Sequence, residues 1–217
     1  MPRLAAFLFH LAVVRPLVFG LLGMRIRHRD RLPASGPAIL VANHNSHLDA
    51  FALACLFPVR LLPCVRPLAA RDYFLADRAR AWIARDLVGV VPIDRHPRPG
   101  AGDPLAGCSA ALARGDILIL FPEGTRGEPE RLGTFRPGIA HLARRHPEAP
   151  VIPVGLRGFG IALPKGGFVP VPVACEAVIG EPVAWHGDRS RFLDSVRKRI
   201  SGLARNRRDI GPWGAAT

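Results

Sequence analysis

The length of the chain, 217 residues, suffices for one globular domain and is short for two independent ones. Apolar residues make up 49% of the sequence, which excludes a chain that is disordered throughout. The formal net charge of +13 predicts an anionic partner, which can be nucleic acid, an anionic membrane surface or a phosphorylated substrate.

The most apolar stretch is Leu4–Gly23, which has about the 20 residues that a bilayer-spanning helix needs. Arg15 and Pro16 lie near its middle. A central arginine costs about 2.5–3.5 kcal/mol on insertion scales, and proline breaks or kinks a helix. We therefore predict two short apolar pieces, Leu4–Val14 and Leu17–Met24, that contact a membrane from one side. An ordinary packing helix and a true span are the alternatives.

A basic cluster, made of Arg25, Arg27, Arg29 and Arg31, follows this apolar stretch at once. Such a cluster beside an apolar segment suits the anionic cytoplasmic leaflet. Arginines also occupy the place where a signal peptide needs small residues for cleavage. The sequence therefore predicts a monotopic or peripheral protein on the cytoplasmic face of the cytoplasmic membrane.

The four cysteines predict packing rather than chemistry. Cys55, Cys64, Cys108 and Cys175 are not placed at Cys-x-x-Cys spacing, and each lies among apolar residues. We expect them to be buried small side chains. Nothing in their spacing requires an oxidising compartment.

The rest of the chain alternates between apolar runs and segments of helical periodicity, which predicts an α/β fold with a mostly parallel or mixed central sheet flanked by helices. The predicted strands are Ala38–Ala42, Val59–Val65, Val88–Ile93, Asp116–Phe121, Val151–Leu156 and Val169–Ile179. The predicted helices are Asp49–Phe57, Asp72–Leu87, Leu105–Ala113, Pro137–Arg145 and Arg189–Arg205. We expect a mobile loop at Arg95–Asp103. Two parts are expected, a membrane-associating segment over residues 1–25 and one domain over residues 26–217.

A histidine and an aspartate follow the first predicted strand. His44 and Asp49 can approach if the histidine lies in the turn and the aspartate in the first helical turn, and an aspartate that orients an imidazole makes it a general base. Ser46 and Asp49 also match a capping box, which needs no chemistry. A third alternative uses His44, His47 and Asp49 as metal ligands. No serine or cysteine stands out as a nucleophile, so such a base would activate a hydroxyl of the substrate.

A candidate anion site follows the predicted strand Asp116–Phe121. Gly124 allows the backbone to approach a ligand closely, Thr125 offers a hydroxyl, and Arg126 offers a planar guanidinium suited to phosphate. The alternative is a turn with a surface arginine. Arg95 offers a second arginine after a strand, where a surface ion pair with Asp94 is the alternative.

Together these pieces resemble the glycerolipid acyltransferase family. The chain contains NHNSHLD from Asn43, GVVPIDR ending at Arg95, FPEGTRG from Phe121 and VIPVGL from Val151, in the order of that family's four motifs. The sequence FRPG from Phe135 is also similar to the family.

The resemblance implies a role for each matching residue. His44 takes the proton from the acceptor hydroxyl, and Asp49 orients His44. The acceptor's glycerol phosphate is bound by the third motif with help from the second, and Pro153 matches the motif associated with the acyl donor. The residues that match the acceptor-binding motifs are Arg95, Glu123, Gly124, Thr125 and Arg126.

The implied reaction transfers a fatty acyl group from acyl-CoA or acyl carrier protein to a lysophospholipid, with 1-acylglycerol 3-phosphate as the expected acceptor and phosphatidic acid as the product. No metal or organic cofactor is implied. Glycerol 3-phosphate and lyso-ornithine lipids are alternative acceptors. A non-enzymatic basic module that binds anionic lipid or nucleic acid is the alternative from another class. Aromatic residues make up only 7% of the chain, and no nucleic-acid motif is present, so we expect no nucleic-acid partner.

Overall fold

The computed structural model of the protein describes residues 2–71, 82–94, 102–125, 132–164, 166–167 and 169–205. Within these ranges the strands form one seven-stranded sheet. They are β1 (Arg25–Arg27), β2 (Ala38–Ala42), β3 (Val65–Ala70), β4 (Val91–Ile93), β5 (Ile117–Leu120), β6 (Val151–Arg157) and β7 (Glu176–Ile179). The strand order is β1-β7-β6-β2-β5-β3-β4.

The sheet is mixed, as the sequence predicts. Neighbouring strands are parallel except β6 and β7, which are antiparallel. Parallel strands need crossover connections, and these are supplied by the helices. The α-helices of the described residues are α1 (Pro2–Phe9), α2 (Asp49–Cys55), α3 (Ala106–Ala113), α4 (Gly138–Arg145), α5 (Phe159–Ala162) and α6 (Arg189–Arg205).

Both faces of the sheet are covered. Leu40 of β2 belongs to one apolar cluster, together with residues of α2, α5 and the N-terminal segment. Its neighbours Ile39 and Val41 belong to a second cluster, together with residues of α3, α4 and α6. This alternation follows from the two-residue period of a strand. It explains why β2 is apolar at every position and fully buried.

The N-terminal segment differs from the prediction of two short pieces, which is wrong. Helix α1 continues through two π-helical stretches, His10–Val14 and Pro16–Leu21, so residues 2–21 form one helix, called the N-terminal helix below. Wider π turns accommodate a proline ring that would clash in an α-helix. Arg15 donates to the carbonyl of Phe57 at 2.8 Å. Among the described residues, one helical stretch, Leu4–Leu21, is long and apolar enough to cross a membrane.

Two further predicted strands differ from the structure, and both differ where the sequence contains prolines. The stretch Val59–Cys64 is a 3₁₀ helix, and the strand follows it as β3. In the predicted strand Val169–Ile179, only Glu176–Ile179 pairs with neighbours. Prolines at 58, 63, 170 and 172 fix φ and remove backbone donors at these places, which disfavours a ladder. The short elements β1 and α5 have no counterpart in the prediction.

The other predicted elements fall into two groups. Those at Ala38–Ala42, Asp49–Phe57, Leu105–Ala113, Asp116–Phe121, Pro137–Arg145, Val151–Leu156 and Arg189–Arg205 are confirmed in type, with small differences at their ends. The predicted strand Val88–Ile93 is confirmed only over Val91–Ile93. Most of the predicted helix Asp72–Leu87 and of the predicted loop Arg95–Asp103 lies outside the described residues, although Ile83–Val88 forms a π-helix.

The cysteines pack largely as predicted. Cys55, Cys108 and Cys175 are buried, and Cys64 is half-buried. Burial raises the pKa of the Cys55 and Cys108 thiols to about 11, so both are held as unreactive thiols at neutral pH.

Candidate active site

Strand β2 delivers His44 to the carboxyl edge of the sheet. The five apolar residues of β2 end at Ala42, and Asn43 follows with its side chain buried. The Asn43 amide donates to the Leu156 carbonyl at 2.8 Å, and the Leu156 N–H donates to the Asn43 Oδ1 at 2.7 Å. This pair of hydrogen bonds fixes the end of β2 against β6 where the chain turns toward His44.

His44 and Asp49 are in contact, as the family resemblance implies. The distance between His44 Nδ1 and Asp49 Oδ2 is 3.0 Å. The same carboxylate oxygen accepts the backbone N–H groups of Asn45 at 2.7 Å and Ser46 at 2.8 Å. Asp49 is completely buried at the start of α2. Three donors on one oxygen hold the carboxylate in a single orientation, and the imidazole with it.

The geometry of Asp49 fits both the capping interpretation and the contact that would orient His44. Asp49 reaches back to the Ser46 N–H, as the second half of a capping box does. The Ser46 hydroxyl does not cap the Asp49 N–H; instead it donates to the carbonyl of Leu163 at 2.9 Å. Among the described residues, no three His, Cys, Asp or Glu side chains are placed to hold a metal ion, so the metal-ligand alternative gains no support.

The imidazole of His44 is held flat against an aromatic ring. The ring centroids of His44 and Phe121 are 4.0 Å apart, with an angle of 18° between their planes. In the tautomer in which Nδ1 donates to the Asp49 carboxylate, Nε2 carries the lone pair. One fifth of the His44 side chain is exposed. The ring can therefore take a proton from a hydroxyl that reaches Nε2.

Glu123 connects the histidine loop with the third motif. Its Oε1 accepts the backbone N–H of His44 at 3.0 Å, and its Oε2 accepts the N–H of Gly133 at 2.7 Å. Burial raises the pKa of Glu123 above its usual range, and these two hydrogen bonds oppose that shift. Glu123 thus joins two loops beyond the ends of β2 and β5.

A pocket of about 420 Å³ opens beside Glu123. It is lined by Glu123, Thr125, Gly133, Thr134, Phe135 and Arg136. Gly124 has a φ of +73°, and a Cβ there would lie 2.6 Å from Nε of Arg136. The absence of a side chain at Gly124 therefore lets the guanidinium of Arg136 lie against the backbone of the motif. The Arg136 N–H donates to the Pro122 carbonyl at 2.8 Å, which fixes the arginine at the pocket wall.

Arg136 is a candidate site residue that the sequence did not predict. The segment FRPG carries a resemblance in sequence, but its arginine lies eleven residues beyond Thr125, and no local pattern predicts that the loop closes back. Of the predicted site residues, Arg95 and Arg126 lie outside the described residues. Pro153 lies inside β6, paired with Val41 of β2.

A second cavity, of about 450 Å³, lies near the other edge of the sheet between β1, β7 and α6. It is lined by basic residues that include Arg31 and Arg157. Arg31 pairs with Glu181 at 2.7 Å, and Arg157 pairs with Glu176 at 2.7 Å. The second of these ion pairs joins β6 to β7, and the first joins the turn at Arg29–Arg31 to the residues after β7, so we assign this cavity a structural role.

The fold and the site together define an α/β protein with an oriented histidine beside an arginine-walled pocket. The model of the acyltransferase family matches residues 23–157. The chain therefore belongs to the acyltransferase family.

Three similar proteins share the description 1-acyl-sn-glycerol-3-phosphate acyltransferase. The chain is 30% identical over 148 residues to the chloroplast 1-acyl-sn-glycerol-3-phosphate acyltransferase BAT2 of Brassica napus, covering 65% of this chain and 39% of the relative. It is 33% identical over 144 residues to a chloroplast enzyme of the same description from Arabidopsis thaliana, covering 66% and 38%. It is 30% identical over 190 residues to the 1-acyl-sn-glycerol-3-phosphate acyltransferase alpha of Mus musculus, covering 84% of this chain and 64% of the relative. The chain thus spans between about two fifths and two thirds of the length of these relatives.

The fold is similar to that of a solved structure. The crystal structure of the 1-acyl-sn-glycerophosphate acyltransferase PlsC from Thermotoga maritima superposes with a TM-score of 0.70 and 21% identity. The match covers 93% of this chain and 78% of that one. At this identity the likeness shows the fold.

Proposed function

We propose that this protein transfers a fatty acyl group from an acyl thioester to the free hydroxyl of 1-acylglycerol 3-phosphate, giving phosphatidic acid. The observation that carries the proposal is the contact of His44 Nδ1 with the buried Asp49, beside a pocket walled by Arg136, in a chain of the acyltransferase family. The relatives named above share the printed description of 1-acyl-sn-glycerol-3-phosphate acyltransferase, which supports this acceptor.

The chemical step uses His44 as the base. Nε2 takes the proton of the acceptor hydroxyl while the hydroxyl oxygen attacks the thioester carbonyl. The carbon–sulfur bond then breaks, the new oxygen ester is complete, and the leaving thiolate takes the proton back from the imidazolium. The negative charge of Asp49 stabilises the imidazolium between these two proton transfers.

The phosphate of the acceptor is held in the pocket beside Glu123. Arg136 supplies a guanidinium, which can bind two phosphate oxygens at once, and Thr125 supplies a hydroxyl. Arg126 belongs to the same motif as Thr125, and we propose that it and Arg95 add positive charge to this site. Glu123 binds the two loops together and thereby sets the distance between the pocket and His44.

The acyl donor is acyl-CoA or acyl carrier protein, since both present a thioester and both are anionic. We propose that the β6 region around Pro153 contributes to donor binding. The reaction as written requires no metal ion and no organic cofactor, because the only transfers are those of a proton and an acyl group.

The substrate and the product are amphiphiles, so we propose that residues 1–25 associate with the cytoplasmic face of the cytoplasmic membrane. The N-terminal helix presents exposed apolar side chains, with Leu4 65%, Leu8 52% and Leu11 48% exposed. Arg25 and Arg29 follow the helix and are exposed to solvent, where they complement an anionic leaflet.

The test is thioester cleavage by the purified protein, with palmitoyl-CoA as donor and a panel of acceptors. We expect turnover with lysophosphatidate, less with glycerol 3-phosphate and lyso-ornithine lipid, and loss of turnover in His44→Ala. Lipid or nucleic-acid binding with no acceptor-dependent thiol release would instead support the non-enzymatic alternative.

A further inference from the structure

The short helix α5 exposes an apolar side chain where its neighbours are buried. Phe159, Gly160 and Ala162 are buried, whereas Ile161 between them is 49% exposed. Val169 and Val171 follow a few residues later and are 78% and 48% exposed. We call Ile161, Val169 and Val171 the apolar ridge. Three exposed branched apolar side chains on one segment are a candidate surface for contact with an apolar partner.

The apolar ridge has a fixed backbone. The N–H of Val171 donates to the carbonyl of Ala162 at 2.8 Å, which ties the two halves of the ridge together. Further along the same segment, the N–H of Cys175 donates to the carbonyl of Leu22 at 3.1 Å. The ridge is therefore joined to the end of the N-terminal helix, whose last helical residue, Leu21, is itself 45% exposed.

The apolar ridge is also joined to the catalytic loop. The Ser46 hydroxyl donates to the carbonyl of Leu163, two residues after Ile161, at 2.9 Å. The backbone N–H of Ser46 binds the same Asp49 oxygen that orients His44. A ligand lying on the ridge is thus close to the loop that carries the base.

We infer that the apolar ridge is a second membrane-contacting element, which enters the bilayer together with the exposed face of the N-terminal helix. The inference rests on the proposed function for the identity of the lipid. The partner of the ridge is a bilayer rather than a protein, because three side chains offer far less than the roughly 800 Å² per partner of a stable protein interface. The exposed Arg25, which follows the linked helix end, complements anionic headgroups.

The test is flotation of the full chain with liposomes that contain anionic phospholipid. In Ile161→Asp/Val169→Asp, the partition coefficient should fall at least about tenfold, because each charge replaces a side chain whose burial is favourable. The matched control is Ala106→Asp/Ala184→Asp, which adds the same charge at exposed positions beside the opposite apolar cluster and should float like the wild type. Ile161→Ser/Val169→Ser removes the apolar surface without charge and should give an intermediate loss.

Activity provides a second measurement. With lysophosphatidate embedded in liposomes, kcat/KM of the aspartate variant should fall in parallel with flotation. With short-chain donor and acceptor that are dispersed in water, kcat/KM should equal that of the wild type. An absence of turnover by the wild type would overturn the proposed function, while flotation would still decide the inference.

Three outcomes would overturn the inference. The first is unchanged flotation in both the aspartate and the serine variants. The second is an equal loss of activity with dispersed substrates, which would make the ridge part of the catalytic site alone. The third is a wild-type dimer that both variants convert to a monomer, which would make a second copy the occupant.

Discussion

The side chain of Asn43 continues the pairing of β2 with β6 beyond the last backbone pair. The register ends at Ala42 and Val154, and the Asn43 amide then donates to and accepts from the backbone of Leu156 at 2.8 and 2.7 Å. An amide side chain thus fixes the strand end while the backbone is free to turn. This matters because His44 is the next residue, and its position depends on where β2 stops.

Asn43→Ala should lower both stability and activity. The substitution leaves a buried N–H and a buried carbonyl of Leu156 without this partner, and each such group costs about 1–3 kcal/mol. We expect a lower Tm and a lower kcat because His44 loses its support. The matched control is Ser109→Ala, since the buried hydroxyl of Ser109 has no hydrogen-bond partner among the described residues. Equal Tm values for the two variants would contradict this account.

Asp49→Asn separates catalysis from capping. The amide oxygen can still accept the N–H groups of Asn45 and Ser46, so the loss of stability should be modest, but a neutral amide stabilises the imidazolium poorly. We expect kcat to fall by about 10²–10⁴-fold, similar to His44→Ala. Asp116→Asn, at a buried aspartate paired with Arg114, should lower stability without a comparable loss in kcat. Normal turnover in a folded Asp49→Asn protein would show that Asp49 acts only as a helix cap.

Arg136→Ala should raise KM for the acceptor more than for the donor. Hydrogen bonds to charged groups are worth about 1.5–3 kcal/mol, which corresponds to about ten- to hundredfold in kcat/KM. Arg136→Lys should recover part of the loss because an ammonium replaces two fixed donors with a point charge. Monoacylglycerol, which lacks the phosphate, should be a poor acceptor and should be indifferent to both substitutions.

The control for Arg136 is Arg114→Ala, an exposed arginine at the opposite end of β5 that pairs with Asp116. Varying acceptor and donor separately in steady-state kinetics makes the comparison. If acceptors with and without phosphate lose activity equally in Arg136→Ala, the pocket is not the phosphate site. Arg126→Ala and Arg126→Lys are expected to follow the same pattern as the Arg136 variants.

Glu123→Gln should change the pH dependence of stability. Because burial raises the pKa of Glu123, the folded protein binds this proton more tightly than the unfolded chain does. Its contribution to stability is present below the unfolded pKa of about 4.3 and is lost as pH rises through the folded pKa. The Tm of the wild type minus that of Glu123→Gln should therefore decrease as pH rises from about 4 toward neutrality. An increase over this range would show that the hydrogen bonds outweigh burial.

The sequence alone was sufficient to predict the strands and helices whose pattern lies within their own residues. Strands β2 and β5 are apolar at every position because both of their faces are covered, and this pattern is visible without a structure. The offset of five residues between His44 and Asp49 allowed their contact with the histidine in the turn before α2, and the resemblance implied it.

Features that depend on distant partners could not be predicted in this way. Strand β1 is three residues long with two arginines, and it is a strand because it pairs with β7 about 150 residues later in the sequence. Arg136 enters the pocket because its loop closes onto Gly124. The N-terminal helix continues past Pro16 because π turns replace α turns there. Helix propensity scales do not predict such π turns.

The N-terminal helix has one side packed on the core and one exposed side, so the two sides tolerate different substitutions. Val14 and Val18 of the helix, and Leu22 directly after it, are buried in the same apolar cluster as Leu40 of the central strand. Removing the helix would uncover that cluster, because the inward side chains of the helix form part of it. A water-compatible form is better obtained by replacing the outward side chains one by one with polar residues. These are Leu4, Phe7, Leu8, Leu11 and Val13.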